Sequence, residues 1–140
     1  MHANTPMPEQ DDVPEESGAR RSWSEKFADA FRGLKFGIRG HSSFFVHFFV
    51  AALTIAAGFV LECSLIEWCA LLLCIGIVLT AELFNSAIEV LHRGLDADTR
   101  ERNWQALDIA AGAVLMASIT AAIVGCLIFG HRLGHLLGWW

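Results

Sequence analysis

The chain has 140 residues, of which 54% are hydrophobic and 18% charged, with a mean hydropathy of +0.46; a water-soluble domain carries about 45–50% apolar and about 25% charged residues, so a single small soluble core is excluded and lipid must solvate much of the chain. The net charge of -5 traces to Glu9, Asp11, Asp12, Glu15 and Glu16 near the amino terminus, beyond which acids and bases balance. The basic residues border a hydrophobic segment instead of alternating with base-stacking aromatics, which excludes nucleic acid as a partner.

Residues 1–21 hold Pro6, Pro8 and Pro14, a run of acids and no aliphatic periodicity. Ordering them would cost entropy without burial in return, so they are read as a disordered acidic tail. They are not read as a signal peptide, because the first apolar run starts only near Ser43. Residues 22–140 are read as one membrane domain. Within it, Trp23, Phe27, Phe31 and Leu34 recur at helical spacing with Lys26, Arg32, Lys35 and Arg39 on other faces. This predicts an amphipathic helix over 22–39, lying in the headgroup plane.

Three apolar runs follow, with spans expected over about 43–61, 65–91 and 106–130. The first carries no formal charge, and the helical pattern of the second continues through ELFNSAIEVLHRGLD. Ala110, Ala111, Gly112, Ala113 and Ala117 give the third a face of small residues where helices can approach closely. The fold class is therefore all-α and integral to the membrane. Six of the ten basic residues fall between Arg20 and Arg39, and Arg93, Arg100 and Arg102 fall in the second connection. The positive-inside tendency puts the amino terminus and the 92–106 connection in the cytoplasm, and the carboxyl end on the other side. Cys63, Cys69, Cys74 and Cys126 have no CxxC spacing and are read as packing residues.

Glu82, Asn85, Ser86, Glu89 and Arg93 form one polar stripe at about 100° per residue. It continues directly from an apolar span, where an ionised carboxylate is expensive and must face protein, water or a metal. Two carboxylates with an amide between them supply what phosphoryl transfer needs: a proton acceptor for an attacking hydroxyl, and oxygen ligands for Mg²⁺. The same stripe also suits the solvated face of a long helix leaving the membrane, or an interhelical polar contact. Asp108 opens the third span and brings a further acid to the same membrane boundary; an acid in the first turn of a helix also has a dipole-related structural role.

The segment AELFNSAIEVLHRGLD, followed after a polar loop by ALDIAAGAVL, resembles the prokaryotic diacylglycerol kinase and undecaprenol kinase family. That family carries E-x-x-N-[ST]-A-[IL]-E on its second span and an Asp before a small-residue-rich third span. The resemblance implies a homotrimeric bundle with three transmembrane helices and an amphipathic surface helix per subunit. It also implies ATP- and Mg²⁺-dependent phosphorylation of a membrane lipid hydroxyl, of diacylglycerol or a polyprenol, at an inner-membrane site facing the cytoplasm. By the same resemblance, Glu82 falls on the catalytic base, Asn85 on the amide beside it and Glu89 on a Mg²⁺ ligand. Asp98, Thr99 and Arg100 fall on a loop stretch that contacts nucleotide, and Asp108 on an acid of the phosphate site. No P-loop or Gly-rich kinase loop occurs in the sequence, so a nucleotide would be held by this helical site.

Two positions depart from the family pattern. His41 stands where the family has a second metal-binding Glu, and Leu107 where it has a Lys before the Asp. Imidazole is a weaker Mg²⁺ ligand than carboxylate, and Leu cannot neutralise phosphate charge. Arg100, Arg102 and Arg39 are candidates for compensation. The alternative is a catalytically degenerate homologue acting as a membrane scaffold or regulatory subunit. On the first span, His47 and Ser43 are candidate substrate-site residues, with a plain interhelical contact as the competing reading for His47.

Overall fold

The computed structural model describes residues 22–39 and 42–139, and all regular structure in them is helical. In chain order the helices are α1 (Trp23–Arg39), α2 (Ser42–Val60), α3 (Leu65–Arg93), α4 (Ala97–Arg102) and α5 (Gln105–Leu136). Three of them, α2, α3 and α5, are long and apolar enough to cross a membrane. The tail over 1–21 and the metal-ligand candidate His41 lie outside the described residues.

Each boundary has a local cause. The turn between α2 and α3 reverses the chain at Glu62, whose φ of 51° is left-handed. α3 then starts on a capping box: Ser64 Oγ accepts from the Glu67 amide at 3.5 Å, and the Glu67 carboxylate accepts from the Ser64 amide at 2.6 Å, satisfying two of the orphan amides of the first turn. Gly94 closes α3, its amide donating to the carbonyls of Val90 and Leu91. The 92–106 connection, expected as a polar loop, contains the short helix α4, which Asp96 caps by accepting from the Thr99 amide at 3.0 Å. α5 extends to Leu136, past the Gly130 at which the sequence reading ended the third span.

α3 is the central helix. It packs against α5 along much of its length, and α2 and α1 lean on it. Among the described residues the buried apolar side chains are few: Phe44, Leu71, Val78 and Ala110. Phe45, Phe49, Leu72, Leu115 and Ile123 point outward, which is the arrangement for helices whose solvent is lipid, where close packing rather than the hydrophobic effect joins them. Such packing is visible at Gly58, where an added Cβ would come within 2.8 Å of the Trp68 ring; that ring also sits 4.9 Å from the ring of Phe59. Gly37 of α1 makes a similar approach to α3, with Leu83 Cδ2 at 2.7 Å from an added Cβ.

The opposite end of the bundle is tied by charge. Arg132 of α5 donates from Nε to both carboxylate oxygens of Glu67, at 3.0 and 2.9 Å, and from its terminal nitrogen to Oε2. Glu67 thus caps its own helix and holds α5 with one carboxylate.

Candidate active site

The polar stripe of α3 divides into two surroundings. In the first, Glu82 is 2% exposed. Ser43 Oγ of α2 donates to Glu82 Oε1, and His47 Nε2, one turn further along α2, lies 3.7 Å from Glu82 Oε2. Of the surroundings the sequence leaves open to this acid, protein, water or a metal, the structure shows protein: two polar residues of the neighbouring helix. Ser43 and His47, expected at a substrate site, both turn to this carboxylate. His47 also lines a cavity of about 730 Å³ between α2, α3 and α5, with Val50, Leu71, Val78, Ala122 and Phe129 among its other walls. The buried carboxylate therefore stands beside the polar edge of an apolar cavity. Ser86, one turn past Glu82, is 1% exposed, and its Oγ has no hydrogen-bond partner among the described residues.

In the second surroundings, nearer the end of α3, Asn85, Glu89, His92 and Arg93 face Leu107, Asp108 and Ala111 of α5 across a cleft of about 310 Å³. Asn85 Nδ2 donates to Glu89 Oε1 at 3.3 Å, and an Arg93 guanidinium nitrogen lies 3.8 Å from Glu89 Oε2. Glu89 and Asp108, far apart in sequence, are thus brought to one opening. Glu82 is not among the residues lining that opening; it lies two turns, about 10 Å of helix rise, back along α3.

The connection residues are placed differently. Asp98 pairs with Arg102 at 2.8 Å on the exposed side of α4. Thr99 contributes its amide to the Asp96 cap, which holds the Asp96 carboxyl below the usual carboxylate range, the Thr99 side-chain contact being the larger cause and the amide the next. Arg100 folds back and donates to the carbonyls of Arg93 and Leu95, at 3.1 and 2.9 Å, satisfying acceptors at the carboxyl end of α3. None of the three lines the cleft. Of the cations considered as compensation for Leu107, Arg100 and Arg102 have these other engagements, and the guanidinium in the cleft is Arg93. Arg93 belongs to the stripe read from sequence, though without a site role there; His92 does not, and its signal is the helical spacing of three residues from Glu89.

A magnesium ion prefers hard oxygen ligands, keeps several waters and is commonly held by one or two carboxylates plus substrate phosphates. Glu89, Asp108 and the amide oxygen of Asn85 are donors of that kind in one cleft, and they fit such an ion. Among the described residues no three His, Cys, Asp or Glu side chains gather into a closed metal cage. That applies also to His131 and His135, whose rings meet edge to face at 4.7 Å.

The model of the prokaryotic diacylglycerol kinase family matches residues 28–129, which contain both halves of the stripe and Asp108. The chain belongs to this family of lipid kinases. It is 35% identical over 112 residues to an undecaprenol kinase of Bacillus subtilis, covering 78% of this chain and 89% of that protein. It is also 35% identical over 104 residues to a diacylglycerol kinase of Synechocystis, covering 73% of this chain and 59% of that protein. No solved structure matches the chain.

Proposed function

We propose that this chain is a Mg²⁺- and ATP-dependent kinase that phosphorylates the hydroxyl of a membrane lipid, diacylglycerol or a polyprenol, with Glu82 as general base. The observation that carries the reading is the buried carboxylate of Glu82 in contact with His47, which itself lines an apolar cavity between helices long enough to span the bilayer. A lipid bound there presents its chain to Val50, Leu71 and Val78 and its hydroxyl to the carboxylate. The hydroxyl oxygen attacks the γ-phosphorus of ATP as Glu82 takes its proton; the new P–O bond forms, the bond to the β-phosphate oxygen breaks, and ADP leaves.

The cleft two turns away suits the phosphates. Glu89 and Asp108 would hold Mg²⁺, which supplies charge neutralisation at the transferring phosphoryl group, while Arg93 and Asn85 orient Glu89. Asp98, Thr99 and Arg100 of α4 flank this end and are assigned to nucleotide contact. α1, with Trp23, Phe27 and Phe31 exposed and Lys26 over the Trp23 ring at 4.8 Å, lies on the inner leaflet as an amphipathic surface helix. The amino terminus and the active site face the cytoplasm, and three subunits form the bundle. The family match favours this reading over a degenerate scaffold.

Purified protein in detergent, given Mg²⁺, labelled ATP and either diacylglycerol or a long-chain prenol, is expected to label one of the two lipids and to lose the activity when Mg²⁺ is chelated. A folded protein inert toward both lipids contradicts the proposal.

A further inference from the structure

Ser43 and His47 stand four residues apart on α2 and so share one face of it. Both reach the same carboxylate, one at each oxygen: Ser43 Oγ donates to Glu82 Oε1, and His47 Nε2 lies 3.7 Å from Oε2. We infer that these two side chains are positioning residues that orient the Glu82 carboxylate for proton abstraction, and are not ligands of the lipid; this rests on Glu82 being the base.

Three physical points support the assignment. A carboxyl group turns about its last torsion in a broad, shallow well, so a base in an apolar setting needs outside contacts to fix its plane; a contact at each oxygen from a second helix does that. A serine hydroxyl carries a single donor hydrogen. That of Ser43 is committed to Glu82, which leaves it only acceptor lone pairs to offer a lipid. Finally, an ionised carboxylate presents about four acceptor positions, so two contacts leave room for the incoming hydroxyl. Glu82 is the charged side chain among the described residues that α2 and α3 bury most completely. The arrangement follows the general logic of a base oriented by a further group.

The test compares isosteric pairs in the full-length protein in detergent, on whichever lipid the wild type phosphorylates. Ser43→Thr keeps the hydroxyl that Ser43→Val removes; His47→Gln keeps a donor that His47→Met removes. Val and Met are expected to lower kcat by about tenfold each, the loss of one hydrogen bond or charge contact to a charged group. The lipid KM is expected to stay within about twofold of wild type, and Thr and Gln to recover most of kcat. A raised lipid KM with kcat preserved, or equal kcat within both pairs, overturns the inference. Glu82→Gln, run in parallel, separates the two levels. If it stays active, the base assignment fails and the clamp with it; if it is inactive while Val and Met keep full kcat, only the clamp fails.

Discussion

Arg93 stands 3.8 Å from Glu89, one turn before it on α3, in the cleft whose opposite wall carries Leu107 and Asp108. The guanidinium lines the same cleft as Leu107, and besides orienting Glu89 we assign it to contact with phosphate. Arg93→Gln is expected to raise the KM for Mg·ATP by about tenfold, the loss of one charge-assisted contact to phosphate. Adding Leu107→Lys to that variant is expected to restore most of the affinity. Steady-state kinetics with ATP varied at saturating lipid measure both effects, and an unchanged KM in Arg93→Gln contradicts the assignment.

At the other end of the bundle, the Glu67–Arg132 pair joins the start of α3 to the last turns of α5. Both side chains are partly buried, so truncating one leaves the other charge short of its partner. Arg132→Ala is expected to destabilise the fold, read as a lower thermal unfolding midpoint in detergent. Because the pair is remote from the stripe, residual kcat at a temperature where the variant is folded should equal that of wild type.

Three glycines should respond differently to the same substitution. Gly58→Ala drives a methyl against the Trp68 ring and is expected to cost about 1–3 kcal/mol through overpacking. Gly37→Ala meets a terminal methyl of Leu83, which can rotate away, so a smaller loss is expected. Gly33 has open space around it, and Ala there is expected to stabilise α1 by up to about 1 kcal/mol through helix propensity. Thermal unfolding of the three variants should rank them in that order, and a neutral Gly58→Ala would contradict the close α2–α3 approach.

The cap of α4 should be sensitive to acid. The Asp96 carboxyl is held below its ordinary value by its contacts with Thr99. Its folded-state value is therefore depressed, so its contribution is present above the ordinary carboxylate range and disappears as pH falls through the lowered value. Amide exchange in α4, corrected for intrinsic rates, is expected to lose protection across that acidic window in the wild type. Asp96→Asn keeps a capping oxygen that does not titrate, and its protection should not follow that course.

Much of the helical order was legible because it rests on local signals. The uncharged run after Ser43 and the aromatic spacing of residues 22–39 each specify a helix without reference to any other part of the chain. Glu82 was legible as a group needing polar surroundings for an energetic reason: an acid continuing an apolar span must face protein, water or a metal. The interhelical reading of His47 agrees with its contact to Glu82, but the pairing itself and that of Ser43 could not be read, because no periodicity encodes the rotation of α2 against α3. That α5 runs on past Gly130 to Leu136 was hidden for a related reason. Arg132 looks like a stop signal until Glu67, at the start of α3, is seen to accept it. α4 was not legible, since six residues are too few for a hydrophobic period. The division of the stripe between two surroundings was equally hidden; the helix puts Glu82 and Glu89 on one face, and only the packing of α2 and α5 gives them different neighbours.

The measurement that bears most directly on the account is single-turnover transfer of labelled γ-phosphate from ATP to lipid, in wild type and Glu82→Gln at saturating Mg·ATP. The account predicts transfer in the wild type, a loss of about 10²-fold or more in the variant, as expected for removing a general base, and unchanged nucleotide affinity in both. Transfer at the wild-type rate by a folded Glu82→Gln protein would contradict it.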